Sequence, residues 1–144
     1  MTDYNEIFGQ DVKLDSNFQV VSAANGEVVL TEGSETGVQD IRLRFKTPKG
    51  SLFYDPDYGS ELFKYYYAEN TKGNRLGIVS EIRSCLNADP MVKHNSVKAA
   101  VKSWDEKGVV VDFSWVFIGE DSEHNKVLSI NSENMDMVIK DANY

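Results

Sequence analysis

The chain has 144 residues, of which 41% are hydrophobic and 26% are charged, a composition typical of one globular domain with a modest core. No apolar run approaches the roughly 20 residues that cross a bilayer, and the N-terminal residues lack the pattern of a signal peptide, so we expect no membrane segment. A formal net charge of −8 argues against nucleic-acid binding, which requires a concentrated basic surface.

The charge is distributed unevenly along the chain. Residues 38–107 carry 12 Lys and Arg against 9 Asp and Glu, a balance of +3, whereas the other residues carry 3 against 14, a balance of −11. A mildly basic middle with acidic ends suits complementary contacts with other proteins, because charge patterns steer partners more than they determine folds. Ordinary solvation of surface charges is the simpler explanation of the same pattern.

The N-terminal part predicts a β-hairpin. Two β-prone runs, residues 18–21 and 28–30, flank Ala24-Asn25-Gly26-Glu27. Asn-Gly between such runs is the strongest short hairpin signal, since both residues tolerate the positive φ of a type I′ turn. The sequence therefore predicts a hairpin with that turn at its tip.

The middle of the chain predicts three helices separated by turns. The first carries Val38, Ile41 and Phe45 on one face and ends at Pro48. After a short buried strand over residues 51–54, a second helix restarts at Gly59-Ser60, and a third covers roughly residues 75–87. The aromatic cluster of the second helix is interpreted as core plus rim, with a binding platform as the alternative; it contains Phe63, Tyr65, Tyr66 and Tyr67.

The C-terminal third alternates apolar and polar residues with period two. The pattern predicts strands near residues 97–102, 109–118 and 126–131, which form an antiparallel meander. The predicted fold class is α+β: a small antiparallel sheet, made of the N-terminal hairpin and the meander, with about three helices packed on it. We expect one domain over residues 1–131 and an acidic tail over residues 132–144, mobile or ordered by a partner.

No constellation of residues predicts catalysis. His94 and His124 lie in polar segments without a nucleophile motif or zinc-ligand spacing, and Cys85 is expected to be a small buried hydrophobe. Paired carboxylates at Asp55, Asp57 or Glu61 are the alternative, because glycoside hydrolysis needs only two acids. Turn chemistry explains these acids more simply. The prediction is therefore no enzyme, no metal and no cofactor.

The turn motifs resemble one known family. Thr47-Pro48-x-Gly50-Ser51 and Pro56-x-Tyr58-Gly59-Ser60-x-Leu62, preceded by Gln39, are similar to the W-type, gene-25-like baseplate wedge proteins of contractile phage tails. The family includes sheath initiators and proteins labelled lysozyme-like, with relatives in type VI secretion and phage-derived bacteriocins. The resemblance runs from about Gly26 to Phe117. Its structural-motif positions are Gln39, Pro48, Gly50, Pro56, Tyr58 and Gly59.

The resemblance implies a function. Such a protein is a structural subunit of the inner baseplate wedge, which joins the wedge core bundle and templates sheath polymerisation. It implies six copies per baseplate and partners among the other wedge proteins, the tail sheath subunits and the central hub, spike and tube proteins. It also implies location in the virion tail, after assembly in the host cytoplasm. Neither nucleic acid nor membrane is an expected partner.

Two groups of residues are candidate contacts. The family's Glu-Pro-Arg signature is replaced here by Asp89-Pro90-Met91, and Arg83 is a candidate for the lost positive charge at the wedge contact. The last predicted strand is the candidate sheet edge that accepts sheath strands by β-augmentation. Its candidate residues are Lys126, Val127, Leu128, Ser129 and Ile130.

Two other functions stay open at this point. One is a muralytic, lysozyme-type baseplate enzyme, which the label of some relatives suggests. The other is a regulatory binding module, because bacterial anti-adaptor proteins share the fold that the resemblance implies and act by blocking a partner.

Overall fold

The computed structural model describes residues 12–14, 19–31, 33–133 and 136–142. The chain forms two compact units, Met1–Leu43 and Arg44–Tyr144. In chain order, the elements are α1 (Glu35–Lys46), a 3₁₀ helix (Leu62–Tyr65), α2 (Lys72–Asn87), β1 (Lys98–Asp105), β2 (Gly108–Trp115), β3 (His124–Asn131) and β4 (Asp136–Asp141).

The predicted hairpin is present in the first unit, but its turn differs from the prediction. Ser22 bridges Val28, and the N–H of Ala23 donates to the carbonyl of Glu27. Gly26 has φ +83°, whereas Asn25 does not adopt positive φ. A three-residue loop with glycine in the left-handed position is the other common way to close a hairpin, so the type I′ prediction is wrong. Phe18, which the prediction placed in the first strand, lies outside the described residues.

The helical prediction is partly confirmed. The first and third predicted helices are α1 and α2, and α1 ends at Lys46, just before the Thr47-Pro48 turn. The second is only the four-residue 3₁₀ helix Leu62–Tyr65. Its hydrogen bonds span three residues, as in the bond from the N–H of Tyr66 to the carbonyl of Phe63. Helices of the 3₁₀ type rarely exceed three or four residues, and the segment between this one and α2 is irregular. The described chain therefore holds two α-helices and one 3₁₀ turn where three helices were expected.

The sheet is a four-stranded antiparallel meander in the order β1-β2-β3-β4. Every pair of neighbouring strands is antiparallel, and Val111 faces Val101 on one side and Leu128 on the other. Because side chains alternate between the two sides, one face collects the buried apolar residues. These are Trp104, Val109, Val111, Phe113, Trp115, Leu128, Ile130, Met137 and Ile139.

Helix α2 covers part of this apolar face. It contacts β1, β2 and the 3₁₀ helix, and it buries Ile78, Ile82, Cys85 and Leu86. The ring of Phe45, at the end of α1, lies 5.2 Å from that of Phe113. The second unit therefore has an α+β core, as the alternating pattern predicts.

The order of the strands corrects two predictions. Lys126–Ile130 was expected to be the sheet edge, but β4 pairs along the outer side of β3, so β3 is internal. The loose-tail prediction for residues 132–144 is wrong for Asp136–Asp141, which form β4 and bury Met137 and Ile139. Residues 134–135 and 143–144 lie outside the described residues. The edge of the described sheet on this side is β4.

Candidate functional site

The outer side of β4 carries backbone groups that no strand of the described chain covers. The N–H of Ala142 donates to the carbonyl of Asn125, which sets the alternation of the β3–β4 ladder. By that alternation, the N–H and C=O of Ile139 point away from β3. Lys46 donates to the carbonyl of Met137 over 2.8 Å and partly covers the start of this edge.

The opposite edge, β1, has three features that discourage strand addition. The register with β2 shifts between Val101 and Ser103, which is a bulge at Lys102. Lys98 and Lys102 are exposed along the strand. Asn70 donates from its side chain to the carbonyl of Trp104 over 3.2 Å. Bulges, lysines and side-chain cover are the usual protections of an edge strand. The two edges of the sheet are therefore not equivalent.

The Thr-Pro-x-Gly and Pro-x-Tyr-Gly-Ser motifs close the base of one loop, residues 47–60. Pro48 bridges Ser60 in parallel orientation, and the N–H of Ser60 donates to the carbonyl of Thr47 over 2.8 Å. Ser60 also donates through Oγ to the carbonyl of Phe45 over 2.6 Å. Gly59 has φ +112°, and a Cβ there would overlap the carbonyl oxygen of Thr47. Only glycine fits this crossing of two backbone segments.

The remaining motif positions shape the same loop. Tyr58 lies under the guanidinium of Arg44, 4.6 Å from ring centroid to Cζ. Gly50 has φ +90° in a turn where the N–H of Ser51 donates to the carbonyl of Pro48. Pro56 is exposed within the loop. The motif therefore encodes a loop with a firmly bonded base.

The tip of this loop exposes two aromatic side chains. Phe53 is 94% exposed and Tyr54 is 73% exposed, and their rings meet edge to face at 5.4 Å. The prediction of a buried strand over residues 51–54 is wrong, because these residues form turns in which the N–H of Asp55 donates to the carbonyl of Leu52. Exposed aromatic residues on a held loop are typical anchors of protein interfaces. The sequence gives no sign of this exposure, because Leu52-Phe53-Tyr54 is an apolar run of the kind that forms buried strands.

The candidate wedge-contact residues Asp89, Pro90 and Met91 form a tight turn after α2. Asp89 is buried and its Oδ1 accepts from the N–H of Met91 over 2.9 Å. The carbonyl of Met91 accepts from the N–H of Ile118, so a hydrogen bond joins the turn to the segment that follows β2. Pro90 is exposed at its tip. The acid of this motif is therefore occupied within the turn.

Arg83 is not brought to that turn by any contact. It lies exposed on α2 and lines a shallow depression with Lys98, Asp112 and Asn125. No hydrogen bond or ion pair among the described residues joins Arg83 to Asp89 or Met91. The structure thus joins Asp89 to Met91 by a hydrogen bond and shows no such bond from Arg83 to this turn among the described residues.

Gln39 has a defined structural role in the first unit. Its buried side-chain amide accepts from the N–H of Leu14 and donates to the carbonyl of Val12, both over 2.8 Å. A single glutamine thereby replaces one rung of a β-ladder and fixes the segment 12–14 to α1. Gln39 therefore has a structural role, because its side chain is bonded to the backbone of its own chain.

The comparison with known families decides the class of the protein. The family model described as "contractile injection system sheath initiator" matches residues 10–119. The chain belongs to the sheath initiator family. The residues of the loop at 47–60 and of the turn at Asp89-Pro90-Met91 all lie within the matched range, whereas β3 and β4 follow it.

A solved structure shares the fold of this sheath initiator. It is a crystal structure from Geobacter sulfurreducens described as that of a candidate tail lysozyme, with a TM-score of 0.56 and 19% sequence identity. The match covers 78% of this chain and 95% of that chain. At this identity the likeness establishes the fold alone. No curated protein sequence matches the chain.

The acids weighed for glycoside hydrolysis occupy ordinary surroundings in this sheath initiator. Asp55 and Asp57 are exposed in the loop. Glu61 pairs with Lys64 over 3.1 Å, and its N–H donates to Glu81 over 2.9 Å. The described residues contain no group of three or more potential metal ligands. No helix in the described part of the chain is long and apolar enough to cross a membrane.

The one cysteine is held in the core, as the sequence predicts. Cys85 is 4% exposed, and its one S–H has two acceptors within reach, Glu81 Oε1 at 3.4 Å and the carbonyl oxygen of Gly59 at 3.6 Å. Burial, and then the charge of Glu81, raise its pKa to about 12. A thiol with so high a pKa is a poor nucleophile.

Proposed function

We propose that this protein is a structural subunit of the inner baseplate wedge of a contractile phage tail, present in six copies, on which the first sheath subunits assemble. Membership of the sheath initiator family supports this proposal. The single observation that carries the mechanism is the outer edge of β4, where Ile139 presents its backbone groups away from the sheet. The proposed location is the tail of the virion, reached after assembly in the host cytoplasm.

The edge of β4 is the proposed docking strand for a sheath subunit. An added strand gains affinity from main-chain hydrogen bonds and register from alternating side chains. On β4, the apolar side chains of Met137 and Ile139 alternate with Val138 and Lys140. The proposal therefore replaces the strand Lys126–Ile130, which the sequence suggested, because that strand is internal.

Other surfaces are proposed to hold the protein in the wedge. The turn Asp89-Pro90-Met91 is the proposed contact with the core bundle, since the family resemblance places its signature there. The aromatic tip Phe53-Tyr54 is a second contact, because a held loop loses little conformational entropy on binding. Hub, spike and tube proteins are the proposed neighbours toward the tail axis.

Site-specific photo-cross-linking tests the docking strand. A photoreactive amino acid placed at Lys140, which is exposed on β4, is expected to cross-link to the sheath subunit in purified tails. The matched control is the same amino acid at Lys98, which is exposed on β1 and does not line the surface groove that contains Lys140. Mass spectrometry of the cross-linked bands identifies the partner at each position.

The outcome at the two positions discriminates between the edges. Sheath cross-links from Lys140 alone support the proposal. Sheath cross-links from Lys98 alone would move the docking strand to β1, and purified tails without this chain would remove the baseplate role altogether.

Lysis of peptidoglycan is the second candidate function, favoured only by the description of the structural neighbour. We expect none, because Glu61 is paired with Lys64 and both Asp55 and Asp57 lie exposed in a loop, whereas a glycosidase fixes its two carboxyl groups on either side of the scissile bond. Purified protein is incubated with labelled peptidoglycan, and released fragments are measured. Release that disappears in Asp57→Asn or Glu61→Gln would reverse this expectation.

A further inference from the structure

A groove in the second unit is distinct from the surfaces above. It has a volume of about 550 Å³ and lies between the irregular segment that follows the 3₁₀ helix and the turn that joins β1 to β2. It is separate from the aromatic loop tip and from the Asp89-Pro90-Met91 turn, none of whose residues line it. Three residues of the aromatic cluster that the sequence predicts as core plus rim, Tyr65, Tyr66 and Tyr67, line one wall.

The walls are aromatic and held in place. Tyr65 and Trp104 meet edge to face with ring centroids 6.4 Å apart. A Cβ at Gly77 would overlap the hydroxyl of Tyr65, so the absence of a side chain there makes room for the ring. Burial, and then the charge of Glu81, raise the pKa of Tyr65. Tyr67, by contrast, is 70% exposed at the mouth. The groove thus offers aromatic surface that folding does not bury.

The rim is acidic. Glu69, Asp105 and Glu106 line the groove, and no Lys, Arg or His is among the residues that form it. None of these three acids takes part in an ion pair between described residues. Asp105 accepts through Oδ1 from the N–H of Lys107 over 2.9 Å, which fixes its position in the turn. Arg75 contacts one lining residue, because its Nε donates to Asn70 Oδ1 over 2.7 Å. Three carboxylates therefore rim an aromatic surface that no basic side chain lines.

We propose that this groove binds an arginine-bearing segment of another protein. A guanidinium group satisfies both parts of the site, because it stacks on aromatic faces and pairs with carboxylates through its planar fork. An ammonium group satisfies them less well, since it is more strongly hydrated and pairs as a point charge. Anionic and purely apolar segments leave the acids unpaired. The inference stands independently of the baseplate role.

Binding is measured by NMR on the full-length, isotope-labelled chain. The probe is the capped peptide Gly-Arg-Gly-Arg-Gly, and its controls carry citrulline, a neutral isostere of arginine, or glutamate at the same positions. The chain has two tryptophans, which provide an internal comparison: Trp104 lines the groove, whereas Trp115 is 0% exposed in the core. The indole signal of Trp104 is expected to shift saturably with the arginine peptide, while that of Trp115 stays unchanged.

Matched variants locate the site. Tyr67→Ala removes a 70% exposed ring from the groove, and Phe63→Ala removes a 43% exposed ring that does not line it. Glu69→Gln with Glu106→Gln removes two rim charges, and Asp55→Asn with Asp57→Asn removes two charges elsewhere. The groove variants are expected to raise the Kd about fivefold or more, and the control variants to raise it less than about twofold. Added salt is expected to weaken binding.

Several results would overturn the inference. Equal shifts with the citrulline peptide would remove the charge argument. The absence of a saturable shift up to about 10 mM peptide would remove the site. Shifts of Trp104 with an N-acetylglucosamine oligomer but not with the arginine peptide would assign the groove to carbohydrate. Self-association that depends on Glu69 and Glu106 would assign it to a second copy of the chain.

Discussion

Gly59 and Gly50 lie in the same loop with positive φ, but their surroundings differ. A Cβ at Gly59 would overlap the carbonyl oxygen of Thr47 and lie 3.0 Å from the nitrogen of Lys49, whereas Gly50 has open space around it. We expect Gly59→Ala to lower the free energy of unfolding by on the order of 2–4 kcal/mol, from strain plus the backbone clash. Gly50→Ala should cost about 1 kcal/mol, from strain alone. Urea denaturation measures both.

The ratio between the two variants is the informative quantity. Equal costs would mean that the crossing of the backbone at Thr47 and Gly59 relaxes easily. The loop would then not hold Phe53 and Tyr54 in a fixed position, and the proposed anchor would lose its main advantage.

The ionisation of Cys85 is expected to make the second unit less stable at alkaline pH. Burial, and then Glu81, raise its pKa from 9.0 to about 12. The unfolded thiol ionises near 9 while the folded thiol stays neutral, so the stability from the neutral thiol is complete below pH 9 and is lost as the pH rises toward 12. Burial also raises the pKa of Tyr65 and Tyr66 from 10.0, which acts in the same direction.

The thiol's part of this effect is separable. In Cys85→Ala, the free energy of unfolding should fall less steeply between pH 9 and 11 than in the parent, although the variant is less stable at pH 7 because it loses a buried sulfur. Urea denaturation at each pH provides the slopes. Identical slopes would show that the thiol does not contribute, and that the tyrosines or other groups set the alkaline limit.

At the scale of single elements, the sequence correctly predicted the features that depend on residues close together in the chain. Period two predicted β1 and β2, and Val109, Val111 and Phe113 do share the buried face. Pro48 predicted the end of α1. The Gly and Pro positions of the loop predicted turns, and they close its base.

The elements that were missed depend on partners far away in sequence. Residues 51–54 look like a buried strand, yet no strand of the described chain pairs with them, so Phe53 and Tyr54 remain exposed. Asp136–Asp141 looks like part of an acidic tail, yet its central apolar residues complete the core face beside β3. The identity of the sheet edge follows from strand order. A pattern within one strand does not contain that information.

The candidate contact residues show the same difference between features set by neighbouring residues and features set by distant ones. The sequence placed Asp89-Pro90-Met91 just after the third predicted helix, and the structure adds that Asp89 accepts a hydrogen bond from the N–H of Met91. It placed a docking edge in the C-terminal sheet but selected β3, one strand too early. The sequence favoured core plus rim for the aromatic cluster, and the groove was not predicted because Trp104, Asp105 and Glu106 come from β1 and the β1–β2 turn, more than thirty residues away.

At the scale of the whole molecule, β4 is both the proposed docking strand and part of the core. Met137 is 5% exposed and Ile139 is 8% exposed, and Lys46 bonds the carbonyl of Met137. Burial of two such side chains contributes about 3–6 kcal/mol, at about 1.5–3 kcal/mol each. The strand also covers β3, whose Leu128 and Ile130 are otherwise at the edge.

Truncating the chain before β4 tests whether this segment is part of the core or a loose tail. A chain ending at residue 133 should lose about 3 kcal/mol or more in urea denaturation, because the apolar face loses two of its residues. It should also self-associate in sedimentation velocity, since removing β4 exposes the backbone of β3. The control chain ends at residue 142, keeps all of β4, and should match the parent in both measurements. If the chain ending at residue 133 kept the parent's stability and remained monomeric, β4 would be an accessory strand, and a sheath strand would have β3 available in its place.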